Sequence, residues 1–460
     1  MTERLIVVGG DAAGMTAASQ ARKRRGPDDL EILAFERGDY TSFSACGIPF
    51  FVGGLVEELD ELIVRTPDEF TQKQDIEVRI QHEVVGIDTD KRTVTVTDLA
   101  TERDYEESFD QLMIATGAEP VRPALENVTA EGIFGVQVLG DGVAIRKMIE
   151  DESPARAVVV GAGYIGIEMA EAFQSLGLEV TVIERSAEPM STLDPDMGRL
   201  VGEAMRGFGI TLHTDESVSG FVTEDGHVSA VVIEEHEIPA DIVILGLGAE
   251  PNAQVARDAG IPIGPSGGIK VDRRMRTEIE GVWAAGDCAE KFHLVSRRPV
   301  AIPLGTHANK EGRTAGINIG GGYETFPGVL GTAATKVCSL EVAHTGLMEA
   351  DAAEAGFEFL TATTVSTTRA GYFPGASEMT TKMIVERVSG RLLGAQIIGE
   401  EGAAKRIDVI ATALWNEMSV EDMLSMDLSY APPFAPVWDP VLITARKAWQ
   451  KVEEDQVEGR

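Results

Sequence analysis

The chain has 460 residues, and 40 Lys+Arg against 75 Asp+Glu give it a formal net charge of -35. This length predicts two to four domains, and the charge argues against partners such as nucleic acid or an anionic membrane surface. The three cysteines, Cys46, Cys288 and Cys338, do not have the number or spacing of a disulfide framework or a metal site. No apolar run has the length of a signal peptide or a membrane span. We therefore expect a cytoplasmic protein.

The chain opens with a βαβ pattern: the strand "RLIVV", a glycine-rich turn, an alanine-rich helix and the strand "LEILAFE". Gly9 and Gly14 stand at the first and last glycine positions of a dinucleotide-binding turn, and Asp11 replaces the middle glycine. Glu36 ends the second strand, where an acid holds ribose hydroxyls, and Arg37 follows it. We predict that all of these except Asp11 bind a cofactor.

The same plan recurs from residue 156, and here the fingerprint is complete. Gly161, Gly163 and Gly166 form the turn between a strand and a helix, a context that indicates dinucleotide binding strongly. Glu184 ends the following strand. Its carboxylate would accept hydrogen bonds from a ribose 2′-hydroxyl and repel a 2′-phosphate, which favours NADH, although Arg185 leaves NADPH open.

Two later segments are also duplicated. "DQLMIATGAEP" at 110–120 and "DIVILGLGAEP" at 241–251 share an aspartate, an apolar strand and Gly-Ala-Glu-Pro in one register. Such self-similarity indicates two homologous nucleotide modules. We therefore add Thr116, Gly117 and Gly248 to the predicted cofactor-binding residues.

Together with "TEIEGVWAAGDCAE" at 277–290, these modules resemble the flavin- and pyridine-nucleotide-dependent disulfide oxidoreductases. The resemblance implies that the first module binds FAD and the second binds NAD(P)H. It assigns Asp287 to the ribityl chain of FAD. It also makes Tyr164 a lid that swings away for the nicotinamide, and Glu168 an acid near the nicotinamide.

The segment "SFSACGIPFF" is similar to the segment around the redox cysteine in the single-cysteine branch of that family. Phe51 stands where two-cysteine members place the partner of Cys46. This branch includes coenzyme A-disulfide reductases, NADH oxidases, NADH peroxidases and persulfide reductases. The peroxidases and water-forming oxidases have a histidine at the position of Ala12, so its absence counts against both.

Two tyrosines resemble catalytic groups of the coenzyme A-disulfide reductases. Tyr430 lies in "LSYAPPFAPVWDP", similar to a segment whose tyrosine reaches the active cysteine of the other subunit, and Tyr372 lies in "GYFPG". The resemblance implies a homodimer in which both tyrosines protonate the departing thiolate.

The chemistry needs a reactive thiol and a way to bind an anionic thiol compound. Cys46 begins a predicted helix, so we expect the helix dipole to lower its pKa, and Ser42 is a candidate donor to the thiolate and contact for coenzyme A. Arg22 and Lys23, in the basic run after the first helix, are candidate contacts for coenzyme A.

We predict an α/β fold with two Rossmann-like modules and a C-terminal α+β dimerisation domain. The FAD module spans residues 1–118 and 252–328, the NAD(P)H module 119–251, and the dimerisation domain 329–460. The function predicted first is NADH-dependent reduction of coenzyme A disulfide, or of a related small disulfide or persulfide, through a mixed disulfide of Cys46 with coenzyme A. The alternatives are an oxygen-reducing NADH oxidase with a Cys46 sulfenic acid, and a flavoprotein electron carrier or redox-responsive binding protein.

Overall fold

The computed structural model describes residues 2–234 and 236–458. The strands up to residue 120 are β1 Glu3–Val8, β2 Leu30–Glu36, β3 Ile76–Ile80, β4 His82–Asp88, β5 Thr93–Asp98, β6 Arg103–Ser108, β7 Gln111–Ile114 and β8 Ala118–Pro120. The helices of this part are α1 Ala12–Arg22, α2 Ile48–Val52 and α3 Pro67–Gln74, with 3₁₀ helices at Ala45–Gly47 and Leu59–Leu62.

The middle of the chain repeats this layout. Its strands are β9 Ile133–Phe134, β10 Arg156–Val160, β11 Glu179–Ile183, β12 Thr211–His213, β13 Val218–Glu224, β14 His227–Ile233, β15 His236–Pro239, β16 Ile242–Leu245 and β17 Ala249–Pro251. Its helices are α4 Leu139–Glu152, α5 Tyr164–Ser175 and α6 Pro195–Gly207. The elements that follow are α7 Gln254–Asp258, β18 Val282–Ala284, β19 Lys291–Phe292, β20 Pro299–Val300 and α8 Gly305–Ile319.

The last part is a different α+β unit. Its strands are β21 Ala333–Val337, β22 Leu340–Gly346, β23 Phe359–Thr367, β24 Glu378–Glu386 and β25 Leu392–Gly399. Its helices are α9 Glu349–Glu354, α10 Ile407–Trp415, α11 Val420–Met423 and α12 Pro440–Glu458, with a 3₁₀ helix at Ala404–Arg406. None of the helices in the described residues is both long and apolar enough to cross a bilayer.

Two parallel sheets carry the nucleotide-binding turns. The first has the order β18-β7-β1-β2-β3 and the second β12-β11-β10-β16-β9. Their central strands are almost wholly apolar and buried on both faces, as expected for parallel strands covered by helices. The third sheet, β21-β22-β25-β24-β23, is antiparallel. The predicted fold class is confirmed.

The duplicated Gly-Ala-Glu-Pro segments meet in space. β8 and β17 pair antiparallel, so that Ala118 faces Pro251 and Pro120 faces Ala249. These two short strands are where the chain passes from the first sheet to the second and back again.

Two helices pack closely in the first unit. A Cβ on Gly312 or Gly316 of α8 would collide with the backbone of Ala13 or Ala17 of α1, so the glycines allow the backbones to approach. The start of α8 is thereby brought to the cavity beside the first turn.

Candidate functional site

The first glycine-rich turn has the geometry of a nucleotide cradle. Gly9 has φ +111°, and a Cβ on Gly14 would collide with the Gly9 carbonyl, so the turn requires both glycines. The Glu36 carboxylate accepts hydrogen bonds from the backbone N–H groups of Gly10 and Gly38, each at 2.7 Å. The acid is thereby fixed beside the start of α1.

The second turn reproduces this geometry. Gly161 has φ +100°, and a Cβ on Gly166 would collide with the Gly161 carbonyl. Glu184 accepts from the N–H of Ala162 at 2.8 Å and from that of Ser186 at 2.9 Å. The two acids therefore make equivalent contacts, which supports two modules of one ancestry.

The remaining predicted cofactor residues line the same cavity as the turns, apart from Gly14 and Gly166, which pack behind them. Asp287 follows β18, and its Oδ1 is buried without a hydrogen-bond partner among the described residues. Thr116 donates to the Asn252 carbonyl at 2.5 Å, and Arg37 pairs with Glu119 at 2.9 Å. An orphaned carboxylate oxygen beside two glycine cradles fits a cofactor that brings its own hydroxyls, as FAD does.

This cavity has a volume of about 2570 Å³ and is lined by all three units. From the first unit it takes Gly9, Asp11, Cys46 and Asp287; from the second Gly163, Tyr164, Glu168 and Glu184; and from the third Thr335 and His344. The two glycine turns thus open into one space that also contains the Cys46 thiol.

Cys46 lies in the 3₁₀ helix before α2 and is exposed to the cavity, whereas Cys288 and Cys338 are buried. The loop before it is shaped by Ser42, whose φ is +47°. The Ser42 backbone donates to the Gly10 carbonyl at 3.0 Å and accepts from Val64 at 2.8 Å. Within the described residues, the Ser42 hydroxyl has no hydrogen bond to Cys46, and Ser42 does not line the cavity. The geometry gives Ser42 a role through its backbone.

The predicted low pKa of Cys46 is wrong. Burial raises the pKa of this thiol, and the nearby carboxylate of Glu168 raises it further, with smaller contributions from Asp287 and Asp11. α2 has five residues and starts two positions later, so its dipole is small and the acidic neighbours prevail.

Asp11 connects the first turn to the cysteine loop. Its Oδ1 accepts the backbone N–H of Phe43 at 3.1 Å, three residues before Cys46. Burial raises the pKa of the Asp11 carboxyl to about 7, and the neighbouring Glu36 adds to this while the Phe43 N–H opposes it. A glycine could not make this contact, which accounts for the departure from the usual fingerprint.

We expect Asp11→Asn to make Cys46 more reactive. Above pH 7 the wild-type Asp11 is ionised and disfavours the thiolate, so its removal should increase the rate of Cys46 alkylation at pH 8 by about twofold to threefold. Below pH 6, where Asp11 keeps its proton, the two rates should converge. The measurement is iodoacetamide alkylation of the reduced holoenzyme across this pH range; Asp90→Asn, at an exposed position, is the control. Equal rates at pH 8 would contradict the prediction.

Tyr164 and Glu168 lie one turn apart on α5 and face the third unit. Thr335 Oγ1 donates to Glu168 Oε1 at 2.7 Å, and the Tyr164 ring stacks on His344. Burial raises the pKa of the Glu168 carboxyl. Sequence reasoning missed Thr335 and His344, because nothing local marks strand residues that meet a helix 167 or more positions away.

Tyr372 and Tyr430 lie side by side on the surface of the third unit, with 77% and 47% of their areas exposed. The Ala370 N–H donates to the Pro432 carbonyl at 3.1 Å and ties their two segments together. The pKa of Tyr430 is raised by slight burial and by a hydrogen bond with the Tyr372 side chain. Neither tyrosine lines the cavity of its own chain. Phe434, Val437 and Trp438 extend the exposed apolar surface around them.

The basic run at the end of α1 lies outside the cavity, and its contacts with coenzyme A stay a prediction. The Arg22 guanidinium donates to the backbone carbonyls of Gln74 at 2.9 Å and Leu30 at 2.6 Å, and so fastens α1 to the loops around it. Lys23 is exposed but, like Arg22, does not line the cavity. Arg22 therefore has a structural role among the described residues.

Comparison with known proteins agrees with this geometry. Residues 3–312 match the family model described as pyridine nucleotide-disulphide oxidoreductase, and residues 332–440 match its dimerisation domain. An NAD(P)H coenzyme A polysulfide/persulfide reductase of Pyrococcus horikoshii is 38% identical over 97% of this chain and 98% of its own. A coenzyme A disulfide reductase of Staphylococcus epidermidis is 30% identical over 97% and 99%.

Among solved structures, an NAD-dependent persulfide reductase from A. fulgidus superposes with a TM-score of 0.94 at 40% identity, covering 98% of this chain and 84% of that one. The fold, the paired nucleotide cradles and these matches lead to one conclusion: the chain belongs to the pyridine nucleotide-disulphide oxidoreductase family, whose members use FAD and NAD(P)H, and it includes that family's dimerisation domain.

Proposed function

We propose that this protein uses NADH to reduce coenzyme A disulfide, or a related small disulfide or persulfide, through Cys46. The observation that carries the proposal is that Cys46 is exposed in the cavity shared by both nucleotide cradles, while the other two cysteines are buried elsewhere. Cys46 therefore has no second cysteine in the cavity with which to form a disulfide, and the sulfur that pairs with it has to come from the substrate. The names of the relatives support the choice of coenzyme A compounds.

The residues that would hold FAD are the first cradle, Glu36 and Asp287, and those that would hold NADH are the second cradle and Glu184. FAD, when bound, supplies the two-electron link between NADH and a disulfide. Glu184 accepts two backbone hydrogen bonds, which fixes its carboxylate where a 2′-phosphate would be repelled. This supports NADH as the preferred donor.

Cys46 carries the sulfur chemistry. In the mixed disulfide, two electrons break the bond between Cys46 Sγ and the coenzyme A sulfur, giving two thiolates. Cys46 then attacks the next coenzyme A disulfide, forms a new mixed disulfide and releases the second coenzyme A thiolate. The net reaction consumes one NADH, one proton and one disulfide and gives NAD⁺ and two thiols.

The raised pKa of Cys46 suits this cycle. Reduction of the mixed disulfide produces the thiolate directly, so no base has to deprotonate a thiol before the attack. A thiolate of higher pKa is also the stronger nucleophile. The departing coenzyme A thiolate needs a proton, and we assign its delivery to Tyr430 and Tyr372 of a second subunit, because their exposed position away from their own cavity suits contact across a homodimer.

The intact mass of the purified protein, measured before and after a thiol reductant, tests the proposal. We expect a loss equal to one coenzyme A per chain, mapped to Cys46, and no loss in Cys46→Ser. Loss of a single oxygen instead would indicate a sulfenic acid and an oxidase. If no mass is lost and NADH reduces no disulfide or persulfide, the proposal is wrong.

A further inference from the structure

The Tyr164 side chain rests on a histidine from another unit of the fold. The rings of Tyr164 and His344 stack with centroids 6.2 Å apart and planes inclined by 29°. Tyr164 is the first residue of α5, next to the second glycine turn, and His344 lies in β22, where it is paired with Ala333 and Gln396. Both residues line the cavity.

The His344 ring carries a buried polar atom, Nδ1, that has no hydrogen-bond partner in the described residues. Burial raises the pKa of Tyr164, an effect that the nearby Thr192 hydroxyl partly offsets, and burial lowers the pKa of His344 to about 4. The imidazole is therefore neutral at physiological pH, and the contact includes no charge. Because the unsatisfied His344 Nδ1 is costly to bury, the stacked position of Tyr164 is only weakly favoured.

The helix beneath Tyr164 is fixed independently of this contact. One turn further along, Thr335 donates to Glu168 at 2.7 Å, and the Cys338 N–H donates to Glu171 at 2.8 Å. The Tyr164 ring can therefore leave His344 by rotation of its own side chain, with α5 remaining in place.

We propose that His344 is a positioning residue for nicotinamide entry. It holds the Tyr164 ring against the cavity wall, and its unpaired Nδ1 keeps that position easy to leave. This inference rests on the proposed function in one respect: the second cradle is taken to hold NADH, and Tyr164 directly follows Gly163 of that cradle. A ligand that binds only after the ring has moved has a lower apparent affinity when the stacked position is more populated. Substitutions at His344 change that population and therefore change the apparent affinity for the cofactor.

Two substitutions at this position should act in opposite directions. His344→Phe keeps the stacking and removes the unsatisfied nitrogen, so the stacked position gains stability and NAD⁺ should bind about threefold to tenfold more weakly. His344→Ala removes the stacking partner, so NAD⁺ should bind with equal or higher affinity.

The experiment is equilibrium titration of the oxidised holoenzyme with NAD⁺, followed by flavin fluorescence, with the melting temperature of each variant as a check on folding. In a Tyr164→Ala background, where no ring is left to hold, His344→Phe should have no effect on the NAD⁺ dissociation constant. The proposal is overturned if both His344 variants weaken binding, if neither changes it, or if the effect of His344→Phe persists without Tyr164. Because NAD⁺ binding is measured without any disulfide, a failure of the substrate assignment would not alter these results.

Discussion

Cys46→Ser is expected to lower NADH-dependent reduction of coenzyme A disulfide by at least about a thousandfold, because serine cannot form the mixed disulfide through which electrons reach the substrate. Reduction of the bound flavin by NADH should continue at nearly the wild-type rate, since both nucleotide cradles are intact. Stopped-flow absorbance under anaerobic conditions measures the flavin step, and thiol release measures the turnover.

Cys288→Ala provides the matched control for this prediction. Cys288 is fully buried, with its Sγ donating to the carbonyls of Ala285 and Ile114, so its replacement should affect stability and leave the disulfide chemistry in place. Disulfide reduction that survives in Cys46→Ser would show that the thiol has no catalytic part, as in an electron carrier that passes electrons directly from flavin to a partner.

A heterodimer that joins a Tyr372→Phe/Tyr430→Phe chain to a Cys46→Ser chain should recover about half of the wild-type activity per dimer. We expect Tyr372→Phe/Tyr430→Phe to lose about a hundredfold in disulfide reduction, because the departing thiolate loses its proton donors. The pKa of Tyr430 is raised, so the hydroxyl of the native enzyme keeps its proton through neutral and mildly alkaline pH. If the tyrosines act across the dimer, pairing this chain with Cys46→Ser creates one complete site out of two.

Two different affinity tags allow this heterodimer to be isolated, and thiol release is then compared with that of each parental homodimer. A control heterodimer joins Cys46→Ser to wild type and should also give about half of the activity. Recovery in the control but not in the complementing pair would mean that the tyrosines serve the cysteine of their own chain.

The nucleotide cradles could be predicted from sequence because their requirements are local. Gly9 and Gly161 need positive φ, and an acid at the end of the next strand is fixed by the βαβ geometry, so Glu36 and Glu184 stand out at known offsets. The duplication of the Gly-Ala-Glu-Pro segments added a second, independent signal.

The features that were missed depend on contacts between distant parts of the chain. The pKa of Cys46 follows from Glu168, Asp287 and Asp11, which the fold brings to one cavity from separate segments. The sequence shows Arg22 only as one cation in a basic run. Its guanidinium donates to the backbone carbonyls of Gln74 and Leu30, and the sequence does not indicate that these carbonyls are close. Asp11 was recognised as unusual, but its partner, the Phe43 N–H, became visible only in the structure.

The pairing of β8 with β17 has a topological consequence. Since Pro120 and Ala249 are direct partners across an antiparallel pair, the polypeptide leaves the first unit and re-enters it at points about 5 Å apart. The intervening 128 residues form an insertion whose ends meet, and a two-residue hairpin turn would suffice to close the gap if they were excised. The backbone thus passes between the two units only at this strand pair, while the packing of α2 against α4 and α5 holds the inserted unit against the first.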